Sequence, residues 1–187
     1  MCKKILVPLL FLSLFFVRCS NKDNNNNNAH EKLPNENLVG TVLNIPDTLH
    51  YLYNDTLKKE LHSNKYSLKI VTKIWGDCFS CIDSLSKWKH FASKERENKD
   101  FGLYIFIYTS RYPYFKRNFY PVIDLNYPLI IDKNDKLSEM NNFDLNKMYA
   151  TFLLDSTNKV VLTGNPIYNK KLMKLYKEEI NKRLVMQ

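Results

Sequence analysis

The stretch Tyr66 to Trp75 runs through Gly76-Asp77-Cys78-Phe79-Ser80-Cys81 directly into a helical pattern. Leu68, Ile70, Thr72 and Ile74 share one parity, and Lys69, Val71, Lys73 and Trp75 the other, which is strand periodicity. Cys81, Leu85, Trp88 and Ala92 then recur at helical spacing, with Ile82 and Phe91 beside them. A Cys-x-x-Cys pair at this handover puts Cys78 at or near a helix N-terminus. Unpaired backbone N–H groups and the positive end of the helix dipole favour a thiolate there, and lower such pKa values from about 8.5 to roughly 3.5–7.5. Cys78 is therefore the candidate nucleophile. Cys81, one turn on and facing the core, is the candidate resolving thiol. Together they can carry two electrons.

Other uses of the pair fit less well. A tetrahedral zinc site needs two further ligands, and outside the pair only Cys2 and Cys19 remain among the cysteines. His30, His50, His62 and His90 show no His-x3–5-His spacing, so no metal is expected. A purely structural disulfide across so short a loop constrains little of the unfolded chain.

The start of the chain bears on compartment. Lys3 and Lys4 precede an apolar run from Ile5 to Val17, interrupted by Pro8 and Ser13. That pattern reads as a secretory signal over residues 1–18, too short for a comfortable span of ~20 residues. No A-x-A cleavage site follows. Residues 19–36 include a run from Asn24 to Asn28 and almost no apolar side chain, so they cannot bury enough surface to offset their ordering entropy. They are expected to be a tether, whose coiled ends would lie ~20 Å apart. Removal of residues 1–18 would take Cys2 with it.

Residues 37–187 are one domain's worth of chain, long enough to bury ~68–70% of the unfolded surface without staples. The formal charge of +9 falls to +6 from Cys19 onward, because Lys3, Lys4 and Arg18 leave and no acid leaves with them. That modest excess is spread along the chain and describes a solvated surface. Within the domain, Leu38 to Ile45 suggests a short strand and turn, and Tyr51 to His62 a short helix or irregular cover. The alternation of Tyr66 to Trp75 argues against a central, fully buried strand. Phe101 to Thr109 reads as a buried strand, giving a parallel β-α-β unit with the cysteines at a strand's carboxyl end. Arg111 to Tyr120 interleaves three cations with aromatic residues. For an exported chain nucleic acid is not the expected partner, and Phe115 and Phe119 at i, i+4 are expected to pack a helix on the sheet. Tyr127 to Asp132 is a further strand and Lys136 to Phe143 a short helix. Ala150 to Leu154 and Val160 to Thr163 form a hairpin, and Asn169 to Lys182 a helix with Met173, Tyr176, Ile180 and Leu184 on one face.

From Val39 to Ile180 the chain resembles the thioredoxin-like superfamily, and within it the membrane-tethered thiol-disulfide oxidoreductases of the TlpA and ResA type. The residues that carry the likeness are Trp75 with Cys78-Phe79-Ser80-Cys81, the Tyr127-Pro128-Leu129-Ile130-Ile131-Asp132 strand, and Thr151 to Asp155 followed by Lys159-Val160-Val161. The resemblance implies an α/β thioredoxin fold, β-α-β then β-β-α around a central mixed sheet, with a short N-terminal β extension. Arg18-Cys19-Ser20 resembles the lipobox of bacterial lipoproteins, which implies acylation of Cys19, although Arg18 and Phe16 depart from the usual residues. By the same likeness Cys78 attacks and Cys81 resolves, while Trp75 and the residue at Tyr149 or Ala150 border the substrate groove. Three departures stand out. The family's cis-proline falls at Tyr149 or Ala150, and neither is proline, so a trans bond is expected. The family's buried acid falls at Thr72. Phe79-Ser80 is neither the common reducing nor the common oxidising dipeptide. Asp77 is expected to cap the helix and to oppose thiolate formation on Cys78.

The leading expectation is an exported, lipid-anchored thiol-disulfide oxidoreductase with no cofactor, acting as a monomer in the cell envelope. Its partners would be cysteine-containing envelope proteins and a membrane thiol electron donor. The alternative is a catalytically weak thioredoxin-fold lipoprotein that binds another envelope protein. Peroxide chemistry lacks a Pro-x3-Thr-x2-Cys segment before Cys78, and copper delivery lacks Cys-x3-Cys spacing.

Overall fold

The apolar runs become strands of one mixed sheet. The computed structural model describes residues 38–61, 66–141 and 149–185. Its strands are β1 (Thr48–Tyr53), β2 (Thr56–Leu61), β3 (Leu68–Trp75), β4 (Phe101–Tyr108), β5 (Leu129–Asp132), β6 (Tyr149–Asp155) and β7 (Val160–Thr163). Helices α1 (Phe79–Asp83) and α2 (Lys89–Glu97), joined by a 3-10 turn over Ser84–Trp88, follow β3. Helix α3 (Tyr112–Asn118) follows β4, α4 (Lys136–Asn141) follows β5, and α5 (Lys170–Val185) follows β7. The sheet order is β2-β1-β5-β4-β3-β6-β7. Strands β3, β4 and β5 are parallel, while β1 and β6 run antiparallel to their neighbours β5 and β3.

Each face of the sheet carries its own apolar cluster. On one, Leu68, Ile70 and Ile74 of β3 meet Leu103, Ile105 and Ile107 of β4, the helical residues Cys81, Leu85, Trp88 and Phe91, and Leu172, Tyr176 and Ile180 of α5. On the other, Val71, Tyr104, Phe106, Phe152 and Leu154 are covered by Leu43, Ile45 and Leu137.

Four sequence expectations change. Strand β3 lies between β4 and β6 and is buried along its length except at Trp75, despite its two lysines. Lys69 Nζ donates to Asn158 Oδ1 at 2.7 Å, and Lys73 Nζ reaches Asp135 and Ser138 Oγ, both at 2.6 Å, so the stems cross the apolar layer while the amines are satisfied. Tyr51 to Leu61 is neither helix nor irregular cover. It belongs to the β1–β2 hairpin, turned by Asn54 and Asp55 at φ of 46° and 60°, the left-handed pair that a two-residue hairpin loop requires. Leu38 to Ile45 forms no strand, only a turn and an isolated bridge from Val42 to Lys159, and serves as cover for the second face. The N-terminal β extension is therefore the hairpin, attached through β5. The α5 face that packs centres on Leu172, Tyr176 and Ile180, with Met173 and Leu184 at its margin. The β6–β7 hairpin forms where the turn residues indicated.

Candidate active site

The site begins where β3 ends. Gly76 N donates to Tyr108 O at 2.7 Å, and a Cβ on Gly76 would lie 2.7 Å from Ile107 Cγ2 and 3.2 Å from Tyr108 O. Only glycine lets the chain leave β3 this close to β4. The next residue turns away from the helix. Asp77, its side chain 12% exposed, accepts from Thr109 Oγ1 at 2.8 Å and Ser110 Oγ at 3.4 Å, and lies 3.8 Å from Arg111 Nε. The expected cap by Asp77 is thus absent, because these donors at the end of β4 take its carboxylate.

Cys78 is itself the cap. Its backbone is extended, and its Sγ accepts from Cys81 N at 3.3 Å. Ser80 Oγ also lies 3.3 Å from Cys78 Sγ. Cys78 and Cys81 form a disulfide with Cα atoms 5.2 Å apart. Their surroundings differ. Cys78 is half-buried, whereas Cys81 is fully buried within the apolar cluster beneath α1 and α2. The buried Ser84 hydroxyl donates to Cys81 O at 2.6 Å, at the point where α1 passes into the 3-10 turn. An incoming sulfur can meet Cys78 but not Cys81.

Thr72 has the parity of Ile70 and Ile74, so it points to the Cys81 side of the sheet. Its Oγ1 lies 2.8 Å from Thr151 Oγ1, and both residues are buried. Tyr149 and Ala150 pair across the ladder with Ile74 and Lys73, beside the strand end that delivers the cysteines. Ala150 is buried, and no cis peptide bond occurs among the described residues. Cys19 and the rest of residues 1–36, expected from the sequence to be a leader and a tether, lie outside the described residues. Among the described residues no three His, Cys, Asp or Glu side chains are grouped to hold a metal ion, and no helix is long and apolar enough to cross a membrane.

An aromatic wall flanks Cys78. Phe79, at 69% exposure, has its ring 6.3 Å from that of Phe119, which lies 5.7 Å from Tyr114 in an edge-to-face contact. Arg111 sits over Tyr114 at 4.9 Å. Trp75, 45% exposed, stands 6.4 Å from Tyr108. Of the pair expected to pack α3 on the sheet, Phe115 is buried, while Phe119 is half-buried against the same cluster and joins the wall. The density of aromatic residues in Arg111 to Tyr120 was the available signal for this wall.

No family model and no curated protein matches the sequence. Solved structures do. A protein from Bacteroides thetaiotaomicron assigned as a protein disulfide isomerase aligns at 18% identity and a TM-score of 0.59, over 78% of this chain and 89% of its own. The exposed lipoprotein thioredoxin of Streptococcus pneumoniae aligns at 17% identity and 0.53, over 70% and 98%. The thioredoxin domain of a thiol-disulfide oxidoreductase from Bacteroides vulgatus aligns at 17% and 0.52, over 73% and 96%. With a strand-helix-strand unit and a closing β-β-α unit on one mixed sheet, the chain has a thioredoxin-like fold.

Proposed function

We propose that this chain is an exported, lipid-anchored thiol-disulfide oxidoreductase that reduces disulfides of envelope proteins. The observation that carries the reading is the asymmetry of one Cys-x-x-Cys pair at the carboxyl end of a sheet strand, with Cys78 reachable and Cys81 enclosed. In the reduced form the Cys78 thiolate attacks one sulfur of a substrate disulfide. That bond breaks, a mixed disulfide forms, and the other substrate sulfur leaves as a thiolate. Cys81 then gives up its proton and attacks Cys78 Sγ. The Cys78–Cys81 bond closes, the second substrate sulfur departs, and the two released thiolates end as thiols with the protons lost by Cys78 and Cys81. Two electrons pass to the substrate, and a membrane thiol donor returns them to the pair.

Export and anchoring rest on the basic and apolar start of the sequence and on Cys19, and are supported by the presence of a lipoprotein thioredoxin among the similar folds. The proposed form is a monomer tethered through residues 19–36. The test is dithiol-dependent reduction of a model disulfide by residues 37–187. Turnover that vanishes in Cys78→Ser supports the reading, and equal turnover in the variant refutes it. A second reading, a protein-binding module with little turnover, is favoured by the Thr72–Thr151 pair where the resemblance calls for an acid, and by Tyr149 or Ala150 where it calls for a proline. It requires background rates with both cysteines intact.

A further inference from the structure

We infer that the wall of Phe79, Tyr114 and Phe119 selects the polypeptide whose disulfide reaches Cys78. The favoured substrate is an extended segment bearing an aromatic or aliphatic residue and an acidic residue close to its cysteine. The inference rests on the thiol-disulfide reading and adds to it a substrate class.

Three observations carry it. First, Phe79 lies between the two cysteines in sequence and leaves 69% of its surface in water, while Tyr114 leaves 43%. Rings held against one another with an open outer face make anchor sites, because they bury large area at small cost in conformational entropy. Second, the wall is continuous with the accessible cysteine. Phe79 follows Cys78 directly, and Phe119 and Tyr114 extend the surface away from it toward α3. A segment joined to Cys78 through a mixed disulfide lies against these rings.

Third, the charges on the segment that carries Tyr114 and Phe119 are all of one sign. Arg111 to Tyr120 contains Arg111, Lys116 and Arg117 and no acid. The one acid of the cysteine loop, Asp77, is turned inward onto Thr109 and faces Arg111. Lys116 is 3.7 Å from Asp55, and Lys133 lies over the Tyr112 ring at 4.2 Å. Arg117, one helical turn after Tyr114, forms no ion pair among the described residues and is exposed. A partner carboxylate meets a cation here, whereas a partner lysine meets repulsion.

The experiment uses two peptides of equal length, each with one cysteine disulfide-linked to glutathione. One carries Phe and Asp beside the cysteine and the other Ser and Lys. The wild-type domain should reduce the first with kcat/KM about tenfold higher, a gap that shrinks with added salt, and Tyr114→Ser and Arg117→Glu should each remove most of it. Equal kcat/KM for the two peptides, or a uniform drop with both in the variants, overturns the inference. Binding of the same peptides with Cys replaced by Ser is followed in parallel by fluorescence anisotropy. If no disulfide is reduced at all, the thiol reading fails, and the anisotropy still decides the wall: tighter binding of the Phe-Asp peptide upholds it and equal binding overturns it.

Discussion

Thr72 Oγ1 and Thr151 Oγ1 lie 2.8 Å apart on neighbouring strands, both buried on the face of the sheet that carries Cys81. A neutral hydroxyl pair occupies the position where the resembling family keeps an acid. Neither hydroxyl titrates in the range where thiols do, so Thr72 could not take the proton that Cys81 would release in the proposed reaction. The pair acts on stability instead. Thr72→Val leaves the Thr151 hydroxyl buried without its partner, which costs about 1–3 kcal/mol. Thr72→Val combined with Thr151→Val removes both groups and should recover most of the loss. Urea unfolding of the two singles and the double gives the coupling; additive losses would show that the bond contributes nothing.

Gly76 makes a sharper prediction. The Cβ of Gly76→Ala would meet Ile107 Cγ2 at 2.7 Å and the Tyr108 carbonyl at 3.2 Å, and the carbonyl belongs to a paired strand that cannot yield. The loop must move off β4, at about 1–3 kcal/mol for such crowding. Because Asp77 and Cys78 follow directly, the displacement should also slow alkylation or reduction at Cys78. A fall in the urea midpoint together with altered thiol kinetics is expected; a variant with wild-type values in both would mean the approach is not tight.

Much of this architecture is legible in the sequence for a physical reason. Strand β4 is a continuous apolar run, the β6–β7 hairpin carries its turn residues at its tip, and the cysteines sit between a period-2 and a helical stretch, all local signals. What escapes is long-range. The lysines of β3 suggest a solvated face only because their partners are far away, Asn158 at 89 positions, Asp135 at 62 and Ser138 at 65. The β1–β2 hairpin escapes because β2 lies at the sheet edge and is mostly exposed, so Thr56 to Leu61 lacks an apolar face. At the site, Cys78 and Cys81 are legible. The direction of Asp77 is not, because Thr109 and Arg111 reach it through the β4 end, and neither is the wall, because α3 must first bring Phe119 to Phe79.

The tip of the β6–β7 hairpin sets an acid limit. Burial alone would raise the Asp155 carboxyl. Hydrogen bonds from the Thr157 hydroxyl and from the backbone N–H groups of Lys159 and Thr157, with the charge of Arg183, outweigh it and hold the carboxyl below its ordinary value of 3.8. A carboxyl lowered in the folded state contributes stability above its unfolded value and loses it as pH falls through the folded one. The contribution is therefore intact at neutral pH and declines below about pH 3.8. Asp155→Asn retains an acceptor and loses the charge, so the acid limb of its urea midpoint should be shallower than that of the wild type. Identical acid limbs would assign the transition to other carboxyls.

The final prediction concerns the order in which the two sulfurs react. Cys78 is half-buried at the start of α1 with an N–H of Cys81 directed at its sulfur, a contact that stabilises a thiolate; Cys81 is enclosed by the apolar cluster, where a thiolate is disfavoured. Once the disulfide is reduced, iodoacetamide should label Cys78 first and Cys81 only after unfolding. The same asymmetry fixes the fate of the single variants. Cys81→Ser retains the attacking sulfur and loses the one that releases substrate, so it should accumulate mixed disulfides visible as mass shifts on non-reducing gels. Cys78→Ser should accumulate none, because an incoming disulfide cannot reach Cys81. Equal labelling of both thiols in the folded, reduced protein would mean that the layer over Cys81 opens on reduction, and the roles of the two cysteines would then have to be assigned from that open form.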